Sequence, residues 1–223
     1  MKPLLITIDG PSGAGKTTTS RLLADRLDYR YIDTGALYRG VALAAISKGL
    51  SPDDDTALEK LCSTLKMEFI PGEKGLRLIS NGSDITDQIR TPEISMFASA
   101  VSARPVVRHF LLDLQRHLGR EKNAVFEGRD MGTVVFPDAD VKFFLDASQK
   151  IRSLRRFEEL KLVSPQSLEA VERDMRRRDK NDSTRNLAPL KPAEDAIRVD
   201  STDLSIEAVV GRMLTVIENI IIR

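Results

Sequence analysis

Leu4-Leu5-Ile6-Thr7-Ile8-Asp9-Gly10-Pro11-Ser12-Gly13-Ala14-Gly15-Lys16-Thr17 decides the fold. Residues 4–8 are a short apolar run bounded by turn residues, the pattern of a strand buried in a parallel sheet. Residues 10–17 fit G-x-x-x-x-G-K-[ST]. Residues 17–27 then read as a helix with Leu22, Leu23 and Leu27 on or near one face. Strand, glycine-rich turn and helix in that order predict a phosphate cradle. Glycines let backbone N–H groups converge on phosphate oxygens, and the helix directs its positive end at the anion. Gly10, Pro11, Ser12, Gly13, Ala14, Gly15, Lys16, Thr17 and Thr18 are therefore the candidate ATP-binding set. Lys16 is placed to bridge the β- and γ-phosphates, and the Thr17 hydroxyl to bind Mg²⁺. The dinucleotide pattern G-x-G-x-x-G fails, because Thr18 stands where its last glycine belongs. The chain also has neither a D-x-x-G after the cradle nor an N-K-x-D, which disfavours a GTPase.

Outward from the cradle, strands and helices alternate. A second strand at 29–32 runs into Asp33-Thr34-Gly35 and a helix over 36–48, stopped at Gly49. The next stretch differs in character: a helix from 51 to about 65, then two short strands at 67–70 and 76–80 around a Pro-Gly turn. That is a hairpin signal, read here as an insert. Helices are predicted from Thr91-Pro92 and again from Arg104-Pro105 to about 118. Strands follow at 124–127 and 141–145, with Phe143 and Phe144 as strand core. A polar helical region spans 151–180, with a break at 163–165. A last strand at 196–199 precedes a helix from 205. The whole predicts an α/β fold of the P-loop NTPase type, an open, mostly parallel sheet flanked by helices. No internal repeat or low-complexity tract interrupts it.

Composition excludes several classes. The 34 Lys+Arg and 33 Asp+Glu of the 223 residues nearly cancel, which argues against a nucleic-acid coat or a polybasic membrane binder. No apolar run approaches the ~18 residues that a bilayer needs, and the N-terminal apolar run is too short for a signal peptide. Cys62 is the single cysteine, so neither an internal disulfide nor a multi-thiolate zinc site is available. A cytoplasmic monomer is expected, with no membrane or nucleic-acid partner.

A cradle alone does not separate hydrolysis from transfer. Moving a phosphoryl group between two anions needs positive charge around both and a cover against water. Residues 150–185 hold 11 Lys+Arg against 7 acids. Most of these fit a solvated helical face with i,i+4 ion pairs. Arg178 and Arg185, at or beyond the predicted helix end, are the pair placed to close over phosphates.

Three stretches together carry a resemblance: Ile6 through Lys16, then Asp33-Thr34-Gly35-Ala36-Leu37-Tyr38-Arg39, then Gly128-Arg129-Asp130-Met131-Gly132-Thr133-Val134-Val135-Phe136-Pro137. With Ala188-Pro189-Leu190 and Asp200-Ser201-Thr202, they resemble the bacterial cytidylate kinases over nearly the whole chain and in the expected order. The resemblance implies a nucleoside monophosphate kinase with a CORE (1–35, 104–149, 188–223), an NMP-binding subdomain with the hairpin insert (36–103) and a helical LID (150–187). It implies transfer from ATP, with Mg²⁺, to CMP or dCMP. By motif position Thr34 meets the acceptor's sugar and phosphate region, and Arg39 and Arg129 hold its phosphate. Arg178 and Arg185 match LID arginines and Asp182 a ribose contact, while Ser99, Arg108 and Asp130 match the trio that reads cytosine. Catalysis is expected from Lys16, Arg39, Arg129, Arg178 and Arg185, without a general base. The chain departs from the family at Thr34, where many members have Ser, and at Thr17-Thr18, which replaces a common Gly-Thr.

The trio's chemistry stands without the family. Cytosine offers an N4 donor beside N3 and O2 acceptors, so Asp130 can accept from N4 while Arg108 and Ser99 donate. Uracil puts an acceptor opposite the carboxylate, and unpaired buried polar groups can cost discrimination of about 10⁴. Weaker candidates complete the reading. His109 and His117 are two turns apart, too far to share a metal ion, and Cys62 reads as core. One of Arg152, Arg155 and Arg156 is a candidate to touch adenine or ATP phosphates. Asp9 and Glu127 are candidates to hold a Mg²⁺-bound water. A kinase for UMP or AMP, and an RNA-docking module, are the rival readings.

Overall fold

A computed structural model describes residues 3–73, 75–161 and 166–221. Its contacts divide the chain into two units. The first comprises the residues up to Ile32, Gly119–Thr184 and those from Ala188 on; the second comprises Asp33–Leu118 and Arg185–Leu187.

The first unit is built on a five-stranded sheet. β1 (Leu5–Asp9), completely buried, lies at its centre and pairs in parallel with β6 (Ala124–Gly128) and β7 (Val141–Asp146). β7 pairs in parallel with β8 (Ile197–Asp200), and β2 (Arg30–Asp33) completes the order β2-β6-β1-β7-β8. β1, β6 and most of β7 are buried on both faces, which is why their sequences are largely apolar runs and show no alternation. Helices α1 (Lys16–Leu27) and α8 (Ile206–Ile221) supply Leu23, Leu27, Val210 and Met213 to a core shared with Ile6, Ile8, Phe143 and Leu145. The helices α6 (Gln149–Leu160) and α7 (Leu168–Thr184) belong to the same unit and enclose Leu160, Val171 and Met175. The expected break at 163–165 lies outside the described residues.

The second unit holds α2 (Thr34–Ser47), α3 (Asp55–Thr64), α4 (Pro92–Val101) and α5 (Pro105–Gly119, of which the last residue falls in the first unit). A three-stranded antiparallel sheet joins them: β3 (Met67–Gly72), β4 (Gly75–Ser80) and the two-residue β5 (Ser83–Asp84), which no sequence pattern announced. Leu37, Val41, Leu58, Leu78, Ile89 and Leu111 fill its interior, and Cys62 is buried there with its thiol pushed up to about 11 by desolvation. The hairpin sits against α2 at Gly40, where a Cβ would stand 2.9 Å from the Met67 sulfur. α2 begins two residues before the expected start because Asp33 caps it, its carboxylate accepting the Ala36 N–H at 3.1 Å. His109 and His117 are exposed on α5.

Candidate functional site

In the first unit the parallel register sets Asp9, the last residue of β1, opposite Gly128, the last of β6. The glycine-rich loop and the Arg129-Asp130 segment therefore leave the sheet side by side at its carboxyl edge, where ligands bind in open α/β sheets. Gly10 cannot be replaced sterically, since a Cβ there would lie 1.9 Å from the Leu145 carbonyl oxygen. Gly13 and Gly15 adopt left-handed φ values of 73° and 89°. α1 starts at Lys16 with no side chain capping its N-terminus. A bent, glycine-rich loop opening onto an uncapped helix end suits the phosphates of a nucleotide.

Lys16 is buried and donates to the Pro11 carbonyl at 2.7 Å. Burial above all, helped by the Arg129 and Arg178 guanidiniums and opposed by Glu127 and Asp9, brings its ammonium down to about 7. The Thr17 hydroxyl donates to Glu127 Oε1 at 2.9 Å, and the Tyr31 hydroxyl donates to Glu127 Oε2 at 2.6 Å. The Thr17 oxygen keeps lone pairs for a hard cation, so the donor set fits Mg²⁺.

Asp9 ties down the chain that follows β6. Its two oxygens accept the N–H groups of Met131, at 2.9 Å, and Gly132, at 2.8 Å. Burial above all, helped by Asp130, raises its carboxyl to about 7 against these two bonds and the Lys16 charge. Asp9 thus clamps a π-helical turn, Met131–Val135, directly after Arg129 and the buried Asp130. Arg129 donates from Nε to Asp182 Oδ2 at 3.3 Å, and Arg178 Nε lies 3.9 Å from the same oxygen. One buried carboxylate on α7 therefore orients two of the predicted phosphate arginines.

The second unit holds the other predicted residues. Thr34 is buried at the first position of α2, and Arg39 lies one turn further along. Arg39 Nη2 donates to Asp33 Oδ2 at 2.6 Å, while its buried Nε has no hydrogen-bond partner. Burial would raise Asp33, yet Arg39, Arg90 and the Ala36 N–H outweigh it and hold the carboxyl below its ordinary range. Ser99 is buried on α4; Arg108, on α5, holds its guanidinium 5.9 Å from the Tyr38 ring centre and donates to the Ser102 carbonyl. Arg185 donates to Ser102 Oγ at 2.9 Å.

Sequence patterns pointed to neither Asp33 as the partner of Arg39 nor Tyr31 as that of Glu127. The capping position of Asp33 was a usable signal; the Tyr31 contact spans 96 residues and had none. Of the three α6 arginines, Arg152 and Arg155 are engaged with main-chain carbonyls and Arg156 with Glu159 at 2.9 Å. Among the described residues, no group of three His, Cys, Asp or Glu is placed to hold a metal ion, and no helix is long and apolar enough to cross a membrane.

A parallel sheet carrying this cradle, with Lys16 at its foot, defines a P-loop kinase class of fold. Shikimate kinase from Acinetobacter baumannii shares it with a TM-score of 0.50 at 15% identity, covering 98% of this chain and 94% of that one. The family model for cytidylate kinase matches residues 6–219. A cytidylate kinase of Geobacter sulfurreducens is 54% identical over 215 residues, covering 96% of this chain and 92% of its own length. One from Syntrophotalea carbinolica is 48% identical over 97% of this chain and 92% of that protein. The chain belongs to the cytidylate kinase family.

Proposed function

We propose that the chain transfers the γ-phosphoryl group of ATP to CMP or dCMP, giving ADP and CDP or dCDP by direct in-line displacement. One observation carries the reading: Lys16 is buried at the uncapped start of α1, and two further cations near enough to act on it, Arg129 and Arg178, are gathered on a single Asp182 oxygen at 3.3 and 3.9 Å. Like charges gathered out of water are costly unless an anion offsets them, and a polyphosphate is the anion that a P-loop suits.

Lys16 and the loop N–H groups hold the donor's phosphates, with the Thr17 oxygen as the protein ligand for Mg²⁺. Held by Thr17, a Mg²⁺ ion would neutralise part of the donor's phosphate charge. Arg39, Arg129, Arg178 and Arg185 neutralise the acceptor and transferred groups. The unpartnered Arg39 Nε is a donor that an acceptor phosphate satisfies. The attacking phosphate oxygen is already ionised, so no general base is required, and catalysis rests on positioning and charge. Asp130 accepts from cytosine N4, Ser99 and Arg108 donate to N3 or O2, Thr34 contacts the sugar and phosphate region, and Asp182 the ribose. In this reading 1–35, 104–149 and 188–223 act as CORE, 36–103 as the NMP-binding part and 150–187 as LID, in a cytoplasmic monomer.

The test is ADP formation from Mg·ATP with CMP, dCMP, UMP or AMP, beside a control without acceptor. Turnover with CMP and dCMP and little with UMP is expected. Equal rates on UMP would sink the role of Asp130, and ADP release without an acceptor would sink the transfer.

A further inference from the structure

We infer that Arg152 is a positioning residue for the phosphate donor: it orients the Ser12–Gly13 peptide in the cradle and, through Asp179, makes that orientation depend on α7. The inference rests on the donor role just proposed for the cradle.

Arg152 lies in the first half of α6 and is buried. Its guanidinium joins three segments of the chain through Nε and Nη1. Nε donates to the Ala147 carbonyl at 3.0 Å; Nη1 donates to the Ser12 carbonyl at 3.1 Å and to Asp179 Oδ2 at 2.5 Å. The Ser12 bond matters most. In a planar trans peptide the C=O and the following N–H point in opposite directions. Holding the Ser12 oxygen against Arg152 therefore turns the Gly13 N–H away from α6. The loop cannot swing to relax this, because the site of a Gly13 Cβ lies 2.5 Å from the Arg152 carbonyl oxygen and 3.0 Å from Met175 Cε of α7. Two residues on, a similar device meets the Ala14 carbonyl: the Ser201 hydroxyl, whose one proton is shared between Ala14 O at 3.1 Å and Asp146 O at 3.0 Å, accepts from Arg155 Nη1 at 3.0 Å, and Arg155 Nη1 itself lies 3.5 Å from Ala14 O. Gly15 N–H is thereby directed as Gly13 N–H is, and successive N–H groups so arranged form an anion-binding nest.

Asp179 adds the dependence on α7. It immediately follows Arg178 and precedes by three residues Asp182, which holds Arg129. A shift of α7 therefore moves Asp179, Arg178 and Asp182 together. An intact Asp179–Arg152 pair carries that shift to the Ser12 carbonyl. An ion pair that only packed α6 against α7 would alter stability and leave donor affinity alone.

The test uses the full chain and the variants Asp179→Ala, Asp179→Asn and Arg152→Lys, each checked by thermal unfolding. Calorimetry gives the affinity for a non-hydrolysable ATP analogue without CMP, and for CMP alone. The ¹H–¹⁵N resonance of Gly13 reports the peptide directly. Loss of a charge-assisted bond predicts that Asp179→Ala weakens analogue binding about ten-fold and displaces the Gly13 resonance, while the CMP loss stays several-fold smaller. Asp179→Asn, which retains an oxygen acceptor, recovers most of the affinity. In Arg152→Lys one ammonium nitrogen cannot stand in for the spaced Nε and Nη1 donors of the planar guanidinium, so adding Asp179→Ala weakens analogue binding no further. Unchanged analogue affinity, an equal loss for CMP, an unmoved Gly13 resonance, or no recovery with Asn would each overturn the inference. Where Asp179→Ala fails to fold, Asp179→Asn against Arg152→Lys decides the same question: full affinity in the lysine variant overturns it. Wild-type chain that binds the analogue but makes no ADP from ATP and CMP would sink the proposed function and leave these binding readouts standing.

Discussion

Asp9→Asn separates the two things that Asp9 does in the native structure. The wild-type carboxyl accepts two backbone N–H groups, while burial raises its pKa from 3.8 to about 7. An acid raised in the folded state binds its proton more tightly there. Its contribution to stability is therefore greatest below the unfolded pKa and is lost as pH rises to the folded one. At ~1.4 kcal/mol per pH unit, the loss between pH 3.8 and about 7 is about 4 kcal/mol. Asparagine has no such slope. It keeps one acceptor but turns an NH₂ toward the second N–H, which costs about 2 kcal/mol at every pH. Wild type should thus be the more stable by about 2 kcal/mol near pH 4 and the less stable by a similar amount near pH 7.5, with the curves crossing at roughly pH 5.5. Urea unfolding of both proteins at half-unit intervals from pH 4.5 to 8 measures the difference, in which all other titrations largely cancel. A difference that stays constant across that range would refute the raised Asp9. Asp9→Ala, which orphans both N–H groups, should cost about 2–6 kcal/mol and loosen the turn behind Arg129 and Asp130.

Lys16 titrates with the opposite sign: a base held at about 7 is mostly neutral in the free chain at pH 8, so nucleotide binding should take up about 0.9 proton there. Calorimetry of the ATP analogue in buffers of different ionisation enthalpy reads this directly, and a buffer-independent heat would contradict it. Gly10→Ala forces a Cβ to within 1.9 Å of the Leu145 oxygen at a left-handed φ of 152° and should cost about 3 kcal/mol or more, seen as a lowered urea midpoint. Asp130→Ala should reduce the preference for CMP over UMP by about 10²-fold or more while ADP formation persists, as measured by kcat/KM on each acceptor. Arg39→Lys removes the planar guanidinium whose Nη2 is held by Asp33 and whose Nε is left to meet the acceptor, and should raise the KM for CMP about ten-fold with little change in the KM for ATP.

Much of the cradle was legible because its requirements are local. Glycine at 13 and 15 answers a left-handed backbone within the loop itself, Thr91 and Pro92 start α4 by short-range capping, and α1 follows from the leucine spacing. The short β5 escaped notice because two exposed residues, Ser83 and Asp84, carry no alternation. The π-helical turn at Met131–Val135 escaped because its hydrogen-bonding pattern has no period of its own in the sequence.

Residue type and spacing by themselves determined that this chain has a phosphate cradle on a parallel sheet and marked Arg178 and Arg185, while Arg39 and Arg129 came from the resemblance of their motifs to the cytidylate kinases. Only the tertiary structure decided what holds those groups in place. Asp9 reaches Met131 across 122 residues, Tyr31 reaches Glu127 across 96, and Arg152 reaches Ser12 across 140. Such bonds leave no trace in a local pattern, because a side chain's partner at that separation is set by sheet register and helix packing. The register that pairs Asp9 with Gly128 is what brings the donor cradle and the Arg129-Asp130 turn to one edge.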